Sequence, residues 1–62
     1  MTRQELFDEL ECNDIGFRVE NPSNSRAVEI VDVPHERYQM SKGGMVAGLT
    51  NNIEIAINFL IF

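Results

Sequence analysis

The sequence predicts an α+β fold: an N-terminal helix packed on a mostly antiparallel four-stranded sheet, in one domain spanning residues 1–62. Three observations predict it. The chain opens on a capped amphipathic stretch. Two alternating or β-branched segments flank a loop rich in asparagine, proline and serine. The C-terminal stretch is mostly apolar, with isoleucine recurring at every second position.

The first element is a helix over about Arg3 to Cys12. Thr2-Arg3-Gln4-Glu5 has the form of a capping box, with Met1 and Leu6 placed as a hydrophobic staple. Leu6, Phe7 and Leu10 form an apolar stripe at helical spacing, and Cys12, at the end of that stripe, reads as a small packed residue. Asn13 can take the left-handed conformation that stops a helix. Next, Ile15 to Glu20 alternates, with Ile15, Phe17 and Val19 on one face and Arg18 and Glu20 on the other. Asn21 to Ser25 is a loop, and Arg26 to Val33 a second strand closed by Pro34. Setting Val19 opposite Val28 also sets Arg18 opposite Glu29, a register that a one-residue slip would destroy. Val31 and Val33 break the alternation and predict a bulge or a doubly buried end.

Pro34 to Gly44 reads as an irregular segment with one helical turn, in which Lys42 and Gly43 resemble a helix stop. Met45 to Thr50 and Ile53 to Leu60 are expected to form a second hairpin turning at Asn51-Asn52, with the latter strand central because its second face is also apolar. Gly44 and Gly48 have GxxxG spacing, but Asn51, Asn52, Glu54 and Asn58 interrupt any membrane-length run.

Size and charge narrow the function. A chain of 62 residues buries about 60% of its unfolded surface and has little stability to spare. It has one cysteine and one histidine, so neither an internal disulfide nor a Cys/His zinc site can be assembled. No cofactor and no metal is called for. The start of the chain lacks the basic-then-apolar order of a signal peptide, and the lone thiol fits a reducing compartment, so the expected location is the cytoplasm of a host cell. The net charge of −5 excludes direct binding to nucleic acid or to an anionic membrane and suits a basic partner.

Catalytic patterns are missing. Cys12 with His35 is the only Cys/His pairing, and nothing in its spacing supports a nucleophile–base arrangement. Asp32, His35 and Glu36 read as a solvated loop rather than a metal cluster. Lys42-Gly43-Gly44 lacks the remainder of a phosphate-binding loop. The helix carboxylates lie on a polar face, without the pocket that would perturb them for acid–base work. The expectation is a protein that is not an enzyme.

The charge is unevenly placed. Glu5, Asp8, Glu9, Glu11, Asp14 and Glu20 crowd the first third of the chain. Like-charge neighbours at helical spacing cost roughly 0.2–0.5 kcal/mol each, and Glu9 and Glu11 sit where the helix dipole disfavours them. Carboxylates about 5–6 Å apart resemble successive phosphates of a nucleic-acid strand. In size, acidity and the acidic stretch Glu5 to Glu20, the chain resembles the small phage-encoded inhibitor proteins, including anti-CRISPR proteins and other DNA mimics. That resemblance implies a basic partner, such as a nuclease or a CRISPR effector subunit, contacted by Asp8, Glu9, Glu11 and Asp14 with Glu5 and Glu20 at the margins. The alternative is an assembly protein, monomeric or homodimeric, that self-associates or augments a partner sheet through a strand at Ile53 to Ile61.

Overall fold

The computed structural model describes residues 2–62. In chain order it has α1 (Arg3–Cys12), β1 (Arg18–Asn21), β2 (Arg26–Val33), β3 (Glu36–Lys42), β4 (Met45–Thr50) and α2 (Ile53–Ile61). The strands form an antiparallel meander in the order β1-β2-β3-β4. Val19, Val28, Ile30 and Tyr38 project from one face into a core shared with Leu6 and Leu10 of α1 and Ala56, Ile57 and Leu60 of α2. Both helices therefore line the same face, with α2 lying across all four strands and α1 packed beside it. The opposite face, with Arg18, Glu20, Gln39, Val46 and Leu49, stays open to solvent or half-open.

The front half follows its local signals. Thr2 and Glu5 close the capping box reciprocally, each N–H 3.2 Å from the other residue's side-chain oxygen. Val19 pairs with Val28 and Arg18 with Glu29, in the register that apolar and ionic matching predict. Just before β1, both Gly16 and Phe17 bond to Ile30, and Gly16 has φ +95°, so the two-against-one pairing bends the chain in from α1. The break in alternation at Val31 and Val33 is a register shift between Ile30 and Val33. Two details differ. Asn13 is extended, and it ends α1 by donating its side-chain amide to the Glu9 carbonyl at 2.7 Å. Cys12 is exposed rather than packed, because at about 100° per residue it falls opposite Leu6 and Leu10.

The segment 34–44 is a strand between two tight turns, not an irregular link. Pro34-His35 joins β2 to β3 with His35 at φ +69°, the backbone pattern of a type II turn with proline first. Gly43-Gly44, with φ +61° and +87°, forms the two-residue turn whose twist suits a hairpin. The glycines read from sequence as a helix stop are thus the hairpin signal for β3 and β4.

Ile53 to Leu60 is a helix, not a central strand. The run is so apolar that it carries both a period of two and a period of 3.6. Ile53, Ala56, Ile57 and Leu60 satisfy the helical spacing, and the last three are fully buried. Asn52, expected in a hairpin turn, is the N-cap: its side chain accepts the Glu54 N–H at 2.9 Å, while Thr50 Oγ1 accepts the Asn52 N–H. The helix prevails because a four-strand sheet already exists without this segment, and α1 alone leaves much of the sheet's apolar face uncovered.

The far end of α2 is held by the β1–β2 turn. The last four carbonyls of a helix lack internal partners, and α2 has no basic residue in its last turn. Asn21 and Asn24 both donate to the Leu60 carbonyl at 2.9 Å, and Arg26 Nη1 donates to the Phe59 carbonyl at 2.9 Å. The Arg26 guanidinium also stacks 4.9 Å from the Phe59 ring centroid, and its positive charge sits at the negative end of the helix dipole.

Two stability measurements follow. Ile57→Ala should cost about 2–5 kcal/mol in urea denaturation, as a buried truncation does, whereas Ile55→Ala on the exposed side of α2 should stay within about 0.5 kcal/mol; a strand with both residues on one face would make the two losses similar. Arg26→Met keeps the apolar stem over Phe59 but removes the charged donor. Because Arg26 Nε is buried without a partner, the expected loss is at the modest end for a charged hydrogen bond, about 1–2 kcal/mol.

Candidate functional site

The arginines determine which carboxylates remain unbalanced. Arg3 reaches from α1 to α2, bonding Glu54 at 3.0 Å and also the Asn58 side chain. Arg18 bonds Glu20 at 2.8 Å on the open sheet face and approaches Glu29 across the β1–β2 ladder at 3.7 Å. Arg26 is engaged by the end of α2. Glu20, Glu29 and Glu54 thus have internal cations, whereas Asp32 and Glu36, beside the β2–β3 turn, form no ion pair among the described residues. Among the described residues, Asp8, Glu9, Glu11 and Asp14 form no ion pair.

The structure brings together most, but not all, of the expected acidic residues. Glu5, Asp8, Glu9 and Glu11 are all exposed on α1, with Asp14 exposed just beyond its end. Leu6 and Leu10 turn inward, with Arg3 and Phe7 toward α2. At about 100° per residue, Glu5 and Asp8 point directly away from the core, while Glu9 and Glu11 lie on opposite flanks. The carboxylates therefore wrap roughly 160° of the helix circumference rather than standing in one row. Glu20 stands apart from them, on the open sheet face and bonded to Arg18.

Glu5 has a local role as well. Hydrogen bonding from the Thr2 side chain, and then from the Thr2 backbone, holds its carboxyl below the ordinary value for glutamate. A depressed folded-state pKa contributes stability that is present above the unfolded value and lost as pH falls through the folded one. Asp8 accepts a hydrogen bond from Gln4 at 3.0 Å, a neutral partner that orients it without cancelling its charge.

No conventional small-molecule site stands out. An open depression of about 380 Å³ beside the β1–β2 turn is lined by Pro22, Ala27 and Gly44 and by Arg18, Glu20, Asn21, Ser25 and Arg26, most of whose polar side chains are already bonded to one another or to α2. Among the described residues, no group of three His, Cys, Asp or Glu side chains could hold a metal ion, and no helix is long and apolar enough to cross a membrane. Asp32, His35 and Glu36 sit around the exposed β2–β3 turn.

The feature that sequence reasoning missed is the β4 edge, with Met45, Val46 and Leu49 exposed. Its signal was the Gly43-Gly44 dipeptide, which makes Met45 to Thr50 the last strand of a meander. Comparison of the chain with protein-family models, with curated proteins and with solved structures finds no match.

The capping geometry makes a titration prediction. Replacing Thr2 by valine should move the Glu5 carboxyl midpoint upward in a side-chain NMR titration, and it should shift the acid side of the unfolding curve in the same sense. An unmoved Glu5 midpoint would show that the capping box does not control it.

Proposed function

We propose that the chain is a small acidic binding protein that inhibits a nucleic-acid-handling host protein, with α1 occupying a cationic groove in place of a nucleic-acid strand. The observation that carries this is the partition of charge. Arg3, Arg18 and Arg26 are committed to Glu54, to Glu20 and Glu29, and to the carbonyls of α2, and Arg37 and Lys42 of β3 form no ion pair among the described residues, so no cation pairs with Asp8, Glu9, Glu11 or Asp14. A marginally stable domain holds a self-repelling helix face at a cost of a few tenths of a kcal/mol per like-charge pair. The spread of carboxylates around the helix suits a concave partner that encloses α1 better than a flat one. Asp8, Glu9 and Glu11 are the principal contacts, with Asp14 and Glu5 beside them. Glu20, neutralised by Arg18 on another surface, has no part in that contact.

The alternative of sheet augmentation through Ile53 to Ile61 does not survive the structure, because that segment is helical and Ile57 is fully buried.

The test is retention of host-cell proteins on the immobilised chain at low salt, followed by a salt gradient. A nucleic-acid-binding protein should elute at moderate salt, because exposed charge pairs are screened, and duplex DNA should displace it. The triple variant Asp8→Asn/Glu9→Gln/Glu11→Gln should fold, judged by circular dichroism, and should lose most of that retention. Undiminished retention by the folded variant would contradict the proposal.

A further inference from the structure

α1 and α2 leave a cleft between them. It measures about 330 Å³ and is lined by Arg3, Gln4, Phe7 and Glu54. That is the low end of ligand-pocket size, about 300–1,000 Å³, so the cleft admits one side chain rather than a larger ligand. Phe7 is half-buried and packs against the core from the flank of α1 that faces α2.

Two groups in the cleft have unused capacity for a cation. Arg3 bonds one carboxylate oxygen of Glu54, Oε2, and turns another donor to Asn58. Glu54 Oε1 accepts no hydrogen bond among the described residues. The Phe7 ring carries no cation either, since the guanidinium groups placed over rings, among the described residues, are Arg26 on Phe59 and Arg37 on Tyr38. The chain thus stacks arginine on phenylalanine elsewhere, at 4.9 Å, and leaves Phe7 unstacked.

Unpaired carboxylates stand at the mouth. Glu11, four residues after Phe7, is turned only about 40° from it around α1 and lies about 6 Å further along the axis. Gln4, part of the lining, donates to Asp8 at 3.0 Å and so holds a second carboxylate beside the cleft. Neither Asp8 nor Glu11 has an ion pair among the described residues. Arg3 and Glu54 cancel, so the surplus charge at the mouth is negative.

We propose that this cleft receives an arginine side chain of a cationic partner. The guanidinium lies over Phe7 and donates to Glu54 Oε1, with Asp8 and Glu11 compensating its charge at the rim. Arginine is selected over lysine because a guanidinium is planar, weakly hydrated and stacks on aromatic faces, whereas an ammonium is compact and strongly hydrated. An apolar side chain would cover Phe7 but leave the surrounding negative charge uncompensated. The assignment rests on the reading of α1 as the partner-facing surface and adds the chemistry of the residue that anchors it.

Two short peptides, identical except that arginine replaces lysine throughout, test this on the labelled protein without any host protein. The arginine peptide should bind about two- to fivefold more tightly, the margin of an exposed cation–π contact. In NMR, its side-chain protons should shift upfield over the Phe7 ring, and the Glu54 carboxyl should respond to the arginine peptide but not to the lysine one. Phe7→Leu keeps an apolar side chain against the core, so it should abolish the preference and leave lysine-peptide affinity unchanged, while Phe7→Tyr should keep the preference. Equal affinity for the two peptides, no ring shift of the arginine protons in the unmodified protein, or a preference retained in folded Phe7→Leu would overturn the proposal. An arginine preference without any host protein retained on the immobilised chain would uphold the cleft and reject only the inhibitor reading.

Discussion

Three side chains at one hairpin turn hold the C-terminal end of a helix that has no basic residue in its last turn. Asn21, Asn24 and Arg26 donate to the carbonyls of Phe59 and Leu60, tying the last element of the chain to the first strand connection. Most of the molecule depends on that clasp. α2 supplies the fully buried Ala56, Ile57 and Leu60 that cover the sheet, and α1 packs mainly against α2. If the C-terminal turn of α2 frayed, both the cover of the sheet and the support of α1 would loosen together. In a domain this small, hydrophobic burial alone leaves little margin, so a few hydrogen bonds between distant parts of the chain weigh heavily.

The same economy of cations shapes the surface. The chain has only five lysines and arginines against ten acids. Arg26 completes a helix end, Arg18 steadies the first ladder and Arg3 joins the two helices. These three are engaged where the fold needs them, balancing Glu54, Glu20 and Glu29, while Arg37 and Lys42 on β3 form no ion pair among the described residues. The acids of α1 lie beyond reach of this scheme. Their exposure follows from the amphipathic phase of Leu6 and Leu10, and their lack of partners follows from where the arginines are used.

The front half of the molecule was legible in the sequence because each local signal there agreed with its neighbours. The capping box, the Leu6–Leu10 stripe and the Arg18–Glu29 match each point to one structure, and the α+β class and the first hairpin follow; the expected four strands counted Ile53 to Leu60 in place of β3. The back half was harder for physical reasons. Ile53 to Leu60 is apolar at almost every position, so its periodicity fits strand and helix alike, and only tertiary demand for a cover over the sheet decides between them. Gly43-Gly44 suits a helix stop as well as a hairpin turn, and Lys42 before it favoured the former. Of the acidic residues, those on α1 were placeable from helical spacing, but the separation of Glu20 required knowing that Arg18 folds back on it. The register shift between β3 and β4, which makes Ala47 a bulge, left no mark in the sequence because any small or β-compatible residue can occupy such a position.

The most direct measurement of how charge is partitioned is a titration of the labelled protein with a short lysine-rich peptide, followed by amide and carboxyl NMR shifts. Internal pairing by Arg3 and Arg18 predicts that shifts concentrate from Glu5 to Asp14 and are screened out by salt, while Glu20, Glu29 and Glu54 remain nearly silent. Shifts spread evenly over all the carboxylates, or centred on Glu20 and Glu54, would contradict it and would reduce the acidic helix to an ordinary solvated surface.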